Sequence, residues 1–330
     1  MDAAVSLPAE AVQVLFVALY SDGRFVDGLS RAIRHLNLSS TPERPVHFHA
    51  LVNKAEARLS PWCKQHELSA MPEDAQTQHS HLSHGKPRGA HIFLWKPFLF
   101  RLIPLSKVIV LDLDVVLVAG SRLHALWSEF ASFGSDGVLG LVREQAPTYA
   151  AYGSHAGFNG GVQLHHLERM RNTADKSNAS YAGVLRRCAS GGCPGWDRIE
   201  PSLGDQTLYT HLCALQPHMC ETLPCGWNRQ MSTHLYSYSK YVTEWHACKA
   251  RSCHLLHFNQ PLLEGLVPML RGDGSALPNC TACRSALRTL ENKTRSSKTR
   301  NPKFTWGPSK EYMASQVDAC CCGASGMSSL

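Results

Sequence analysis

Val12-Gln13-Val14-Leu15-Phe16-Val17-Ala18-Leu19-Tyr20-Ser21-Asp22-Gly23 is the stretch on which the reading of this chain turns. The run from Val12 to Tyr20 is apolar except for Gln13 and rich in β-branched and aromatic side chains. That composition predicts a strand buried on both faces, and Ser21-Asp22-Gly23 supplies turn chemistry to end it. The run is too short to cross a bilayer, which takes roughly 20 residues. It also lacks the basic flank and small-residue cleavage site of a signal peptide. From Phe25 to Leu36, apolar residues recur at helical spacing (Phe25, Leu29, Ile33, Leu36), and Val46–Val52 reads as a second strand. Strand, turn, helix and strand in that order predict an α/β fold with a mostly parallel sheet flanked by helices. Ligands of such sheets sit at the carboxyl ends of the strands.

A second strand end carries the chemistry. Val108-Ile109-Val110-Leu111 is apolar and runs into Asp112-Leu113-Asp114. In extended chain, alternate side chains share a face, so the two carboxylates project together from the edge of an apolar core. Two like charges there are costly unless neutralised. A divalent cation does this well, and carboxylate oxygens suit Mg²⁺ or Mn²⁺. A strand followed by a plain acidic turn is the alternative for this motif taken alone.

Further along, residues 69–90 read as a polar loop with His79, His81 and His84, and His91–Ile103 as an apolar helix shortened or kinked at Pro97. Leu123–Phe133 reads as a helix and Val138–Val142 as a strand. Phe158-Asn159-Gly160-Gly161-Val162 is a glycine turn entering an apolar stretch. Leu203–Leu215 has a helical stripe with Asp205 and Gln206 in its first turn, and His254–Phe258 is a short late strand. From about Arg271 the composition changes to Gly, Ser, Cys, Lys and Arg. The chain thus divides into residues 1–270 and a basic, cysteine-containing tail over 271–330. Lys293–Lys303 holds five basic residues and no acid, which fits a solvated arm. It has no aromatic residue before Phe304 and no recognised nucleic-acid-binding pattern, so no nucleic-acid partner is expected.

The formal charge of +7, with 18 histidines besides, suits an anionic ligand such as a nucleotide diphosphate. There are 13 cysteines, several close together in sequence (Cys188 and Cys193, Cys220 and Cys225, Cys248 and Cys253, Cys280 and Cys283). Such density favours an oxidising compartment. Four of the ten asparagines (Asn37, Asn178, Asn279, Asn292) begin glycosylation sequons. Both signals point to the Golgi or secretory lumen; with no signal or anchor visible, the cytoplasm is the alternative.

Five segments in order, VLFVALYSDGR, KVIVLDLDVVL, FNGGV, LGDQ and the pair LPCGWN and LLHFNQP, resemble family 8 of the retaining glycosyltransferases, in particular the xylosyltransferase domain of LARGE-type enzymes. The resemblance runs from about Val12 to Pro261. It implies a GT-A fold, a UDP-sugar donor, and Mn²⁺ (or Mg²⁺) held by Asp112, Asp114 and His257. It places Ala18, Ser21 and Asp22 at the uracil and ribose, with Lys96, Leu113, Asn159 and Gly160 also at the donor. Asp205 and Gln206 fall beside the reacting sugar, and Trp227 and Asn228 on the acceptor side. The family's late lysine-containing segment has no counterpart in His257-Phe258-Asn259-Gln260-Pro261, so no basic residue is assigned to the phosphates.

The activity so implied is Mn²⁺-dependent retaining transfer of a hexose or pentose from UDP-xylose, UDP-glucose or UDP-galactose to a hydroxyl of a glycan or glycoprotein. Two alternatives stand beside it. Asp112-Leu113-Asp114-Val115-Val116-Leu117 also fits the signature of haloacid-dehalogenase-type phosphatases, with Asp112 as nucleophile and Asp114 as acid. A GT-A domain can also persist as a non-catalytic sugar-nucleotide-binding module.

Overall fold

The computed structural model describes residues 10–19, 23–84, 88–145, 157–172, 180–193, 203–231, 253–258, 267–271 and 275–296. The expected ribose-binding residues Ser21 and Asp22 lie outside them. The strands are β1 (Val12–Ala18), β2 (Val46–Val52), β3 (Lys64–Glu67), β4 (Val108–Leu111), β5 (Val115–Leu117), β6 (Leu139–Arg143), β7 (Phe158–His165), β8 (Cys220–Leu223), β9 (Arg229–Gln230) and β10 (Leu255–His257). The helices are α1 (Gly23–Asn37), α2 (Glu73–Ser83), α3 (Arg88–Phe93), α4 (Leu99–Leu102), α5 (Leu123–Ser128), α6 (Leu167–Asn172), α7 (Tyr181–Ala189), α8 (Asp205–Leu215), α9 (Val267–Arg271) and α10 (Cys280–Ser296).

Seven strands form the main sheet in the order β3-β2-β1-β4-β7-β6-β8. It is mostly parallel; β7 runs antiparallel to both of its neighbours. Alternate residues of β1 feed opposite faces. Leu15 and Val17 join a core with α2, α4, α6, α7 and α8, while Val14 and Phe16 join one with α1 and α5. Burial on both faces is why β1 reads as a continuous apolar run.

A second sheet, β5-β10-β9, has only three short strands. The chain passes from one sheet to the other at the acidic motif: β4 ends at Leu111 and β5 begins at Val115. Asp112, Leu113 and Asp114 are the crossing.

Two expectations need correction. Residues 69–90 are not a loop, because α2 and the start of α3 lie there. Pro72 precedes α2, Glu73 and Asp74 occupy its first turn, and Ala75, His79 and Leu82 are buried at helical spacing. The stripe is hard to see because one of its three members is a histidine. His79 stacks on Trp95 with ring centroids 3.7 Å apart and bonds to the carbonyl of His91. The second correction concerns the region after Arg271, where α10 folds back with Cys283 and Ala286 buried against β5 and β10. Asn279 begins that helix by accepting the N–H of Ala282. Pro97 does interrupt the expected helix, leaving α3, a 3₁₀ turn at Lys96–Phe98 and α4.

Disulfides join Cys188 to Cys193 and Cys213 to Cys220, and Cys225, Cys253, Cys280 and Cys283 are also disulfide-bonded. Among the described residues no helix is long and apolar enough to cross a membrane.

Candidate active site

Asp112, Asp114 and His257 come together where the two sheets meet, with one ligand atom from each lying within 4.8 Å of the others. Nε2 of His257 is 3.3 Å from Asp114 Oδ1 and 3.9 Å from Asp112 Oδ2. The ring is aimed from behind, since Nδ1 sits 3.0 Å from Oδ1 of Asn228. An amide oxygen only accepts, so Nδ1 carries a proton and Nε2 faces the carboxylates. That is the second-layer arrangement of metal-binding histidines. Gly161 makes room for the ring: a Cβ there would overlap His257 Cε1. Two carboxylates, an oriented imidazole and a glycine cradle fit a divalent cation such as Mn²⁺.

The charges agree. Burial opposes ionisation of Asp114, but the His257 ring and the Arg271 guanidinium outweigh it and hold the carboxyl below its usual range. Burial likewise opposes protonation of His257, and Asp114, Asp112 and Glu144 together raise it above the ordinary value. Without a cation, a proton on His257 neutralises the pair.

Behind this front lies Lys96, almost fully buried. Its Nζ contacts Asp112 Oδ1 at 2.7 Å, Asp205 Oδ2 at 3.3 Å and the carbonyl of Gly160 at 3.0 Å. An ammonium has three protons, and these acceptors use them all. Lys96 is therefore a buried cation shared by two carboxylates and a backbone carbonyl.

Asp205 does not cap α8. Its Oδ2 accepts from Gln163 Nε2 at 2.6 Å and lies beside Lys96. Burial raises its carboxyl to about 6, with Lys96 opposing. The Gln163 amide is oriented in turn by His165, whose Nε2 is 2.7 Å from Gln163 Oε1. Burial and the Lys96 charge lower His165 to about 3, so the ring is neutral and its Nε2–H donates.

Gln206 accepts from the N–H of Gly160 and donates to Glu144, and Asn159 donates to the same Glu144 oxygen. Asn159 Oδ1 accepts from Asn228 Nδ2 and from the N–H of Gly161. A single buried network thus runs from His257 through Asn228, Asn159 and Glu144 to Gln206. Polar side chains this deep are tolerated because they satisfy one another.

Several expected roles shift. Ala18 is a core side chain at the end of β1, and its neighbour Val17 lines the cavity beside Asp112 and Leu113. Trp227 offers no open face to an acceptor: it is 3% exposed, stacked on His254, and its Nε1 donates to Glu129. Asn228, Asn159 and Gln206 are buried positioning groups. Glu144, Gln163, His165 and Arg271 were not anticipated. Arg271, placed by composition at the start of a tail, donates to the carbonyls of Leu113 and Val115 on either side of Asp114.

A mostly parallel sheet with an acidic crossing at its carboxyl edge is the GT-A fold of glycosyltransferases. Mouse xyloside xylosyltransferase 1 superposes with a TM-score of 0.61 at 20% identity, covering 76% of this chain and 98% of that one. The galactosyltransferase LgtC, solved with donor and acceptor sugar analogues, superposes with a TM-score of 0.52 at 16% identity over 88% and 98%. In sequence, the chain is similar to the xylosyl- and glucuronyltransferases LARGE2s of Danio rerio (30% identity, 48% of this chain and 20% of the relative) and LARGE1 of Homo sapiens (28%, 51% and 22%). The resemblance to LARGE-type enzymes is therefore borne out. The matched stretch spans only about a fifth of those curated relatives. No protein-family model matches the chain. The GT-A fold leaves no place for the phosphatase alternative, in which the D-x-D strand opens its domain.

Proposed function

We propose that this chain is a retaining glycosyltransferase that moves a pentose or hexose from a UDP-sugar to a hydroxyl of a glycan or glycoprotein. The observation that carries the reading is the convergence of Asp112, Asp114 and His257 on one point, with Asp205 tied to Asp112 through Lys96. A cation held by the first three, Mn²⁺ by preference, would supply charge neutralisation to the leaving diphosphate. Xylosyl transfer in the names of the relatives favours UDP-xylose as donor, and UDP-glucose and UDP-galactose follow on the family resemblance.

The chain's own residues then divide the work. His257, aimed by Asn228, offers Nε2 to the cation once its proton leaves, so cation affinity should rise with pH through the raised titration of the ring. Lys96 keeps Asp112 and Asp205 close despite their like charges. Asp205 is ionised above about pH 6 and faces inward beside Gly160. A preorganised negative charge there would stabilise positive charge building on the anomeric carbon during same-face attack. Gln206 and Glu144 hold the Gly160 backbone in place for this.

The test is a UDP-release screen over a panel of nucleotide sugars, with Mn²⁺ and with EDTA. The reading expects turnover with at least one UDP-sugar, lost in EDTA. UDP-sugar binding without turnover against any glycan acceptor would favour a non-catalytic module, and absence of both would end the proposal. We also place the working compartment in the secretory lumen, on the disulfides and sequons. Glycan mapping of Asn279 in material from the native cell tests that placement.

A further inference from the structure

The cavity beside the acidic crossing has a volume of about 420 Å³, in the range of small-ligand sites. Asp112 and Asp114 line it, and so do Arg31, from α1, and Arg271, from α9. The charges of this lining do not balance. Asp112 is matched by Lys96, and Asp114 by His257 and Arg271. Arg31 is exposed and has no carboxylate partner among the described residues, and its charge acts against that of Arg271. Two arginines lining one cavity, with one of them uncompensated, favour an anion there.

We propose that Arg31, backed by Arg271, is the phosphate-binding cation of the donor site, filling the role for which the sequence offers no late lysine. The proposal rests on the nucleotide-sugar reading. Arg271 cannot serve alone, because its Nη2 is committed to the carbonyls of Leu113 and Val115. It holds the acidic crossing in place and adds charge. Arg31 lines the same cavity from an exposed position and is able to fork onto phosphate oxygens. Gly28, one turn earlier on α1, keeps the space open: a Cβ there would meet nothing within 4 Å.

The experiment measures binding of UDP, uridine and inorganic pyrophosphate to the full chain and to Arg31→Gln, by calorimetry, with Mn²⁺ and with EDTA. Arg31 is exposed, so the variant should keep the wild-type melting temperature. Loss of a charge-assisted fork should weaken UDP and pyrophosphate about tenfold or more in both conditions and leave uridine unchanged. Arg31→Lys should fall between. Gly28→Leu, which fills the cavity without touching a charge, should weaken UDP as well. Unchanged UDP affinity in Arg31→Gln overturns the assignment while leaving the transferase reading intact. Unchanged UDP affinity in Gly28→Leu moves the ligand out of this cavity and also overturns it. Pyrophosphate binding that depends on Arg31, with no binding of UDP or uridine, upholds the anion site and refutes the nucleotide-sugar reading. Binding of none of the three to the wild type refutes both.

Discussion

The two sheets contribute to the site in different ways. The seven-stranded sheet brings Asp112 at the end of β4 and Asn159, Gly160 and Gly161 on β7, all fixed by long paired strands and two packed cores. The three-stranded sheet brings His257 and lies against Asn228, and its strands are two or three residues long. Such short strands have little stability of their own. They are held by the polar network, by Arg271 and by the small core beneath α9 and α10. The large sheet positions by packing and the small one by hydrogen bonds. Changes at the seam between them should therefore separate fold from function.

The largest effect is expected at Lys96. Lys96→Met leaves Asp112 and Asp205 facing each other without the buried cation. Breaking a buried ion pair in this way costs about 3–5 kcal/mol, read by urea denaturation. A loss under about 1 kcal/mol would mean the two carboxylates do not depend on this lysine.

Gly161→Ala is the next test. Its Cβ would overlap the His257 ring, and forcing such a contact costs about 1–3 kcal/mol. The ring must move, so stabilisation by Mn²⁺ should weaken more than the apo protein does. Equal losses with and without Mn²⁺ would detach His257 from the cation site.

Asp205→Asn should act on rate more than on stability. Turnover should fall roughly 10²-fold or more, the size expected for one lost preorganised group, with UDP affinity nearly unchanged. The titration gives the sign for stability. The native carboxyl binds its proton more tightly than an unfolded one, so Asp205 costs stability as pH rises from 3.8 to about 6, and the cost is complete above that. Above that pH the apo variant should melt at the same temperature or slightly higher. Wild-type activity should likewise fall as pH drops through about 6. A flat profile there, or wild-type turnover in the variant, would remove Asp205 from the chemistry.

This division also explains what could be read in advance. β1, α1, β2 and β4 were legible because their apolar periods are long and undisturbed, and β2 has the expected bounds. Asp112, Asp114 and His257 were legible because the acidic pair interrupts an apolar strand and the motifs occur in a recognisable order. Glu144, Gln163 and Arg271 were not. Each is polar and isolated in sequence, and its role arises from partners 15 to 158 residues away. Trp227 misled for the opposite reason, since an aromatic beside a functional asparagine looks the same in sequence whether it faces a ligand or a core. α2 was missed because a buried histidine stands where a leucine would have completed the stripe.

The proposed site depends on the two sheets meeting to hold a cation, and a thermal shift tests that most directly. Melting temperatures of the wild type and of Asp114→Asn should be compared with and without Mn²⁺, then with UDP added. At about 100 times its dissociation constant, Mn²⁺ stabilises the protein that binds it by roughly 2.7 kcal/mol. The wild type should show an upward shift that grows with UDP and weakens as pH falls and His257 takes up its proton. Asp114→Asn should show neither gain. An equal Mn²⁺ shift in both proteins would contradict the account.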